Sequence, residues 1–305
     1  MSADLLTLGI TCRPHGPAEQ RVRCPRCGDG RGASDDALGV NIETGVFHCF
    51  RCGWSGKAAT GETRAAPLHA QLDDPERADR VRQRLREVWK AAKPLDHRLA
   101  GPVRRYFQAR GLERLLLVFA RGEVLRAHPA LPYWDNCGRR EVGRFPALVA
   151  ILTGPDNKPR AIHATYLRAD GFSKAAVGSP KKILPVPTRG ATRGGAIRLF
   201  AVRDGVLGVA EGLENAMALA LLHKVPTWSA YCADNLAQVR LPPGLRELHI
   251  AVDVDENGKG EQVARTLAAR AAREQPDLVT HLIIPAGAAP RDLNDELLAA
   301  RRSAS

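Results

Sequence analysis

A chain of 305 residues with 44% apolar side chains can bury the cores of more than one domain, which excludes a disordered polymer and a disulfide-held miniprotein. It contains no apolar run of about 18 residues or more, and its opening segment has neither a basic head nor an unbroken apolar stretch. A cytoplasmic protein with no membrane partner is therefore expected. The net charge of +12 points to a polyanionic partner, and it is unevenly spread: residues 77–110 carry +8, residues 158–203 carry +9 and residues 204–305 carry −4. A basic middle followed by an acidic end suits a protein that holds a phosphate backbone with one part and metal ions with another.

Residues 1–60 form the first unit, rich in Cys, Gly and turn signals, with a strand pair expected around 37–42 and 45–49. Its cysteines fall as two pairs, Cys24/Cys27 and Cys49/Cys52, with 21 residues between them. Paired CxxC turns complete a tetrahedral thiolate shell, so these four are expected to hold a structural zinc ion in a small β ribbon. Gly28 and Gly53 let the backbone fold around the ion, and Arg26 and Arg51 offset its thiolate charge. Cys12 and His15, with CxxH spacing, stand outside a set that is already complete; Cys137 and Cys232 read as packing residues. Phe50 and Trp54, beside the second pair, are aromatic enough to stack on bases or to pack in the module's core.

Residues 61–75 read as a linker. In residues 76–115, Val81, Leu85, Val88 and Trp89 recur at helical spacing among arginines, and Pro94 and Pro102 interrupt the pattern. This is a basic helical segment. Residues 116–203 form a basic α+β region, in which 147–152 and 161–167 are β-like runs joined by the turn 154–159. Lys174, Lys181, Lys182 and Arg198 are its candidates for holding template or nucleotide.

The last unit, 204–305, alternates short apolar runs with helical patterns: 206–210, 214–223, 225–230, 248–252, 262–273 and 281–285. Fully apolar strands alternating with helices predict an open α/β sheet, mostly parallel. The overall class is α/β, with an N-terminal β module and an α+β middle. Acidic residues follow three of the strands: Glu211 before Gly212, Asp253 and Asp255 before Asn257-Gly258, and Asp292 with Asp295. An open α/β sheet places its site at the carboxyl ends of its strands. Alternate residues of an extended segment point the same way, so Asp253 and Asp255 can share one hard cation, with Glu211 and Asp292 completing a set suited to Mg²⁺ or Mn²⁺. Helix N-terminal capping is the competing reading for each acid taken singly.

The order Glu211-Gly212-Leu-Glu-Asn followed by Asp253-Val-Asp255-Glu-Asn-Gly258 resembles the Toprim domain of bacterial-type primases and topoisomerases, over about residues 204–300. The whole chain resembles the Toprim primases of phages, plasmids and integrated elements, in which a zinc ribbon precedes a basic core and the Toprim fold. The stretch His163-Ala-Thr-Tyr166, Gly171-Phe-Ser-Lys174, Lys181-Lys182 and Gly194-Gly195-Ala-Ile-Arg198 is similar to the segment preceding Toprim in that group. The resemblance implies a DNA primase that makes short RNA primers on single-stranded DNA from nucleoside triphosphates. It casts Glu211 as the acid/base residue and Asp253 and Asp255 as the metal pair. Some primases carry a further aspartate four residues after the glutamate, where this chain has Asn215.

A Toprim-type nuclease would use the same carboxylates with water as nucleophile, and a non-catalytic zinc-ribbon DNA-binding protein would not need Glu211. Topoisomerase chemistry needs a tyrosine on a sizeable separate domain, and Tyr106, Tyr133, Tyr166 and Tyr231 have none around them. The sequence lacks a GxxxxGK[ST] phosphate loop, so a separate helicase or replication initiator is the expected working partner.

Overall fold

The computed structural model describes residues 3–13, 16–26, 37–49, 54–58, 63–64, 75–134, 140–188, 190–256, 258–287 and 289–303. The chain forms two compact units: residues 1–79, 132–144 and 177–179 make one, and the remainder makes the other.

The first unit begins with a short helix α1 (Ala3–Thr7) and carries a five-stranded antiparallel meander, β1 (Glu19–Val22), β2 (Leu38–Asn41), β3 (Val46–Cys49), β4 (Ser55–Lys57) and β5 (Thr63–Arg64). The expected strand pair is β2–β3, in register Leu38↔Cys49. Its turn is set by Asn41, whose Oδ1 accepts from the backbone N–H groups of Glu43 and Thr44 at 3.1 and 2.9 Å. Leu5, Ile10, Leu38, Val40, Phe47 and Trp54 close a small core that also buries Cys24 and Cys49.

Helix α2 (Pro75–Ala91) presents the expected half-buried stripe of Val81, Leu85, Val88 and Trp89 and leaves Arg82, Arg84 and Arg86 exposed. In the second unit Arg126 lies 4.6 Å over the Trp89 ring and donates to its carbonyl. Pro102 sits in the first turn of helix α3 (Gly101–Ala109), where its missing N–H has no helical partner to lose. A four-stranded sheet follows in the order β6 (Leu125–Trp134), β7 (Glu141–Thr153), β8 (Pro159–Tyr166) and β9 (Lys181–Ile183). The two β-like runs pair as the antiparallel β7–β8 hairpin, in register Leu152↔Ala161.

The last sheet runs β10 (Ile197–Arg198), β12 (Thr227–Ser229), β11 (Val206–Ala210), β13 (Glu247–Ala251) and β14 (Val279–Ile283) in spatial order. All neighbours are parallel except the edge strand β10. The crossovers carry α4 (Leu213–His223), α5 (Ala233–Leu236) and α6 (Lys259–Glu274), and α7 (Leu293–Ser303) closes the chain. Leu207, Val209, Leu248 and Ile250 bury one face of the sheet with Ala264, Leu267 and Ala271 of α6. Helix α4 is apolar on most of its circumference, as a helix packed on several sides must be. Because β11 is followed by β12 on one side and β13 on the other, the strand order reverses beside β11. That switch point is where an open α/β sheet forms a crevice at its carboxyl ends.

Candidate active site

Glu211 is the first residue beyond β11, and Gly212 behind it caps α4 in an extended conformation. The Glu211 carbonyl accepts from Ser229 Oγ at 3.0 Å, tying the end of β11 to β12. Burial raises the Glu211 pKa, Asp255 adds to the rise, and the Lys259 charge opposes it. Asp253, two residues beyond β13, is pushed up to about 7 by burial and then by the charges of Glu211 and Asp292. The side-chain amide of Asn215 counters this by donating to Asp253 Oδ1 at 2.8 Å.

Asp255 accepts from the backbone N–H groups of Lys259 and Gly260 at 2.8 and 3.2 Å. It thus serves the first turn of α6, whose N-cap, Gly258, has no side chain to do so. The start of α6 lies against the Asp253 carbonyl oxygen so closely that a Cβ at position 260 would collide with it, which is why glycine stands there. Asp292 Oδ1 similarly accepts from the Asp295 N–H at 2.9 Å, capping α7. Capping and electrostatic convergence therefore coexist in the same acids. Among the described residues, the carboxylates of Glu211, Asp253, Asp255 and Asp292 do not form a cluster of three or more ligand atoms within 4.8 Å of one another.

Behind these acids lies a buried charged network centred on Glu214, in the first turn of α4. Its two carboxylate oxygens accept from Tyr106 Oη of α3 at 2.6 Å and from Lys181 Nζ of β9 at 2.7 Å. Burial works against ionisation, yet Lys181, Lys174 and the two hydrogen bonds outweigh it and hold the Glu214 pKa at about 2. Lys174 is lowered by burial and by Lys181. His163 on β8 is fully buried, its pKa driven down to about 4 by burial, and its Nδ1 has no hydrogen-bond partner. Arg110 lies 5.6 Å from the Tyr106 ring centre. The Arg110 carbonyl accepts from Asn294 Nδ2 at 2.8 Å, and the Asn294 N–H donates to Asn215 Oδ1 at 3.3 Å. A chain of contacts thus runs from α3 through α7 to Asn215 and Asp253.

The expected site residues have different fates. Glu211, Asp253 and Asp292 face one another electrostatically, with Asp255 near Glu211. Lys174 and Lys181 converge on the same crevice through Glu214. Lys182 is paired with Ala164 in register, one residue on from Lys181, and so points to the other face of its sheet. Arg198 is not with them: its guanidinium lies 4.4 Å over the Trp228 ring and donates to the Gly154 carbonyl and to Asn157 in the β7–β8 turn. Packing on an aromatic ring and bonding to this turn hold the guanidinium away from the acids.

In the first unit Trp54 takes the second of its two expected roles, core packing: the residue is 5% exposed, its ring centre is 4.5 Å from that of Phe47, and Arg26 covers it at 4.9 Å. It is a core residue. Cys24 and Cys49 are both fully buried in that core, whereas Cys27, Cys52 and Phe50 lie outside the described residues. Cys232 is half-buried at the start of α5, its thiol pushed up to about 11 by burial. Tyr106, His163 and Glu214 were missed as a network, since nothing local in their sequence pairs them.

The site geometry coincides with a known domain: residues 206–302 match the Toprim domain. Residues 206–302 form a Toprim domain. Upstream of the Toprim domain, residues 79–194 match a domain of unknown function (DUF7146). No curated protein matches the chain in sequence. Among solved structures, the chain is similar to the zinc-binding and RNA polymerase domains of Aquifex aeolicus primase, at 14% identity and a TM-score of 0.44 over 99% of this chain and 85% of that one. It is also similar to a DNA primase domain from Pseudomonas aeruginosa, at 15% identity and a TM-score of 0.48 over 72% and 76%. The primase fragment of the bacteriophage T7 primase-helicase aligns at 11% identity and a TM-score of 0.39 over 93% and 96%. No helix among the described residues is long and apolar enough to cross a membrane.

Proposed function

We propose that the chain is a DNA primase that synthesises short RNA primers on single-stranded DNA by metal-dependent nucleotidyl transfer. The observation that carries the reading is the pair Glu211 and Asp253 at the switch point of the Toprim sheet, two half-buried carboxylates whose pKa values are raised partly by one another or by neighbouring acids. Acids crowded in this way fit a divalent cation, because a cation relieves both their repulsion and their desolvation. Asp253 and Asp255, with Glu211, are the residues that would hold Mg²⁺ or Mn²⁺; when bound, the ion neutralises triphosphate charge and acidifies the attacking hydroxyl.

The reaction is attack of a 3′-hydroxyl on the α-phosphorus of an incoming nucleotide, forming one P–O bond while the bond to pyrophosphate breaks. Glu211 receives the hydroxyl proton, and its raised pKa makes it a better base than an exposed glutamate. Asn215 orients Asp253, and the start of α6 fixes Asp255. Lys174 and Lys181 supply positive charge beside the crevice for nucleotide or template phosphates, with Lys182 on the neighbouring sheet face. The basic segments 77–110 and 158–203 hold single-stranded DNA. Cys24, Cys27, Cys49 and Cys52 carry a structural zinc, a reading supported by the burial of Cys24 and Cys49 in one core. A separate helicase or initiator supplies the open template.

A primer-synthesis assay on single-stranded DNA with labelled nucleoside triphosphates and Mg²⁺ or Mn²⁺ tests the proposal. Ladders of short RNA that vanish with Glu211→Gln support it. Metal-dependent shortening of the template with no ladder would replace it with a nuclease, and binding without either product would leave a DNA-binding protein.

A further inference from the structure

Away from the carboxylate crevice, Glu247, His249 and His281 bring one ligand atom each within 4.8 Å of one another. Strand pairing builds the cluster. β13 and β14 are parallel in register His249↔His281, so the two imidazoles stand side by side on one face of the sheet. Glu247, two residues earlier on β13, points to that same face. The rings are stacked, with centroids 4.7 Å apart and planes at 27°. Glu247 Oε2 lies 3.4 Å from His249 Nε2 and 3.8 Å from His281 Nε2.

These contacts leave His249 unsatisfied. Both ring nitrogens of His249 are buried with no hydrogen-bond partner, the Glu247 oxygen standing outside bonding geometry. A buried polar atom without a partner costs free energy that a ligand can recover. The ligand-atom spacing matches what an ion would ask for: four donors at about 2.0–2.1 Å in a tetrahedral shell stand roughly 3.3 Å apart, against the 3.4 and 3.8 Å found here. The site is also reachable. His281 and Glu247 are exposed at 43% and 47% of their side chains, and Glu247 and His249 line a cleft of about 230 Å³ beside Arg203, Asp204 and Lys224.

We propose that Glu247, His249 and His281 form a second metal site, one that takes a borderline divalent transition ion such as Zn²⁺ and keeps a fourth position open to the cleft. Two imidazoles and one carboxylate suit Zn²⁺, Ni²⁺ or Co²⁺ rather than Mg²⁺, which takes oxygen ligands. The site is separate from the Toprim acids: Asp253 follows His249 by four residues, about 13 Å along an extended chain. An ion there ties the first half of β13 to β14, so its occupancy stiffens the edge of the sheet whose other end carries Asp253.

The test is metal content and spectroscopy on the full chain. Loaded with Zn²⁺ and then gel-filtered, the wild-type protein should hold about one ion per chain more than His281→Gln or Glu247→Gln. Both substitutions fall on half-exposed side chains, and circular dichroism checks that each variant is folded. Affinity at this site should fall by more than about 100-fold in His281→Gln, beyond the 10–100-fold typical of groups that only support a ligand. Co²⁺ should add visible absorption without an accompanying thiolate charge-transfer band, and that absorption should survive Cys24→Ser and disappear in His281→Gln. Equal zinc content in wild type and both variants would overturn the site, as would Co²⁺ absorption that depends only on the cysteines.

Discussion

The side-chain amide of Asn215 donates to Asp253 Oδ1 at 2.8 Å while its oxygen accepts from the Asn294 N–H at 3.3 Å. One amide thus joins the acid at the end of β13 to the first turn of α7. Because the donated hydrogen bond lowers the Asp253 pKa against burial, Asn215→Ala should raise that pKa above about 7. The pH at which Mg²⁺ binding and primer synthesis reach half of maximum should move upward with it. Asn215→Asp places another carboxylate there and should tighten Mg²⁺ by about tenfold while lowering the melting temperature of the metal-free protein. A pH–rate profile and a Mg²⁺ titration on both variants check this.

Asp253 also makes metal-free stability depend on pH. Its folded pKa of about 7 stands above the ordinary 3.8, so its contribution is present in full below about 4 and is lost as pH rises through about 7. In chelator, thermal melts of Asp253→Asn should therefore exceed wild type at pH 8 and converge with it only near pH 4, the gap being a few degrees at roughly 2–4 °C per kcal/mol. Excess Mg²⁺ should stabilise wild type at pH 8 and leave the variant unchanged. A wild-type protein whose melting is flat across this range would argue that Asp253 is not an ionising member of the site.

Lys181 separates phosphate binding from support of the fold. Its ammonium is half-exposed, but its partner Glu214 keeps only 7% of its side chain exposed. Removing one member of a buried pair leaves an uncompensated charge and costs about 3 kcal/mol or more, somewhat less where water reaches one partner. Lys181→Met should therefore destabilise the chain as well as weaken nucleotide binding, and the double change Lys181→Met with Glu214→Leu should recover much of the stability without the binding. Tyr106→Phe, which takes one hydrogen bond from an ionised acceptor, should cost about 1.5–3 kcal/mol. Urea unfolding of the four proteins measures each term.

What was legible in the sequence follows from how locally each feature is encoded. The runs at 206–210 and 248–252 became β11 and β13 because fully buried parallel strands are continuously apolar. The acids after them were visible for the same reason: a strand end and a helix start bracket them. Helix α5, four residues long, shows no period to read. The bond from Tyr106 to Glu214 spans 108 positions, and no pattern within either segment announces it. Lys181 was visible as a basic residue, but its commitment to Glu214 appears only once β9 lies beside α4. Trp54 shows the same limit from the other side, since its position beside a CxxC pair does not say whether its ring meets Phe47 or solvent.

Asp255 carries the sharpest test because its carboxylate has two claims on it. It accepts from the Lys259 and Gly260 N–H groups, and in the proposed reaction it also holds metal. Asp255→Ala removes both, and loss of the cap alone should cost about 1 kcal/mol, or roughly 2–4 °C. Asp255→Asn keeps an oxygen for the Lys259 N–H but turns its amide NH₂ toward the Gly260 N–H, so it should lose only part of the cap's contribution, less than alanine does, yet it removes the charge that a divalent ion requires. If Asp255 is a metal residue, both variants lose primer synthesis and the alanine variant loses more stability than the asparagine variant. If capping is its whole purpose, the asparagine variant remains active. Melting temperature and primer yield measured on the same two preparations decide between these, because the two roles move the two readouts in different combinations.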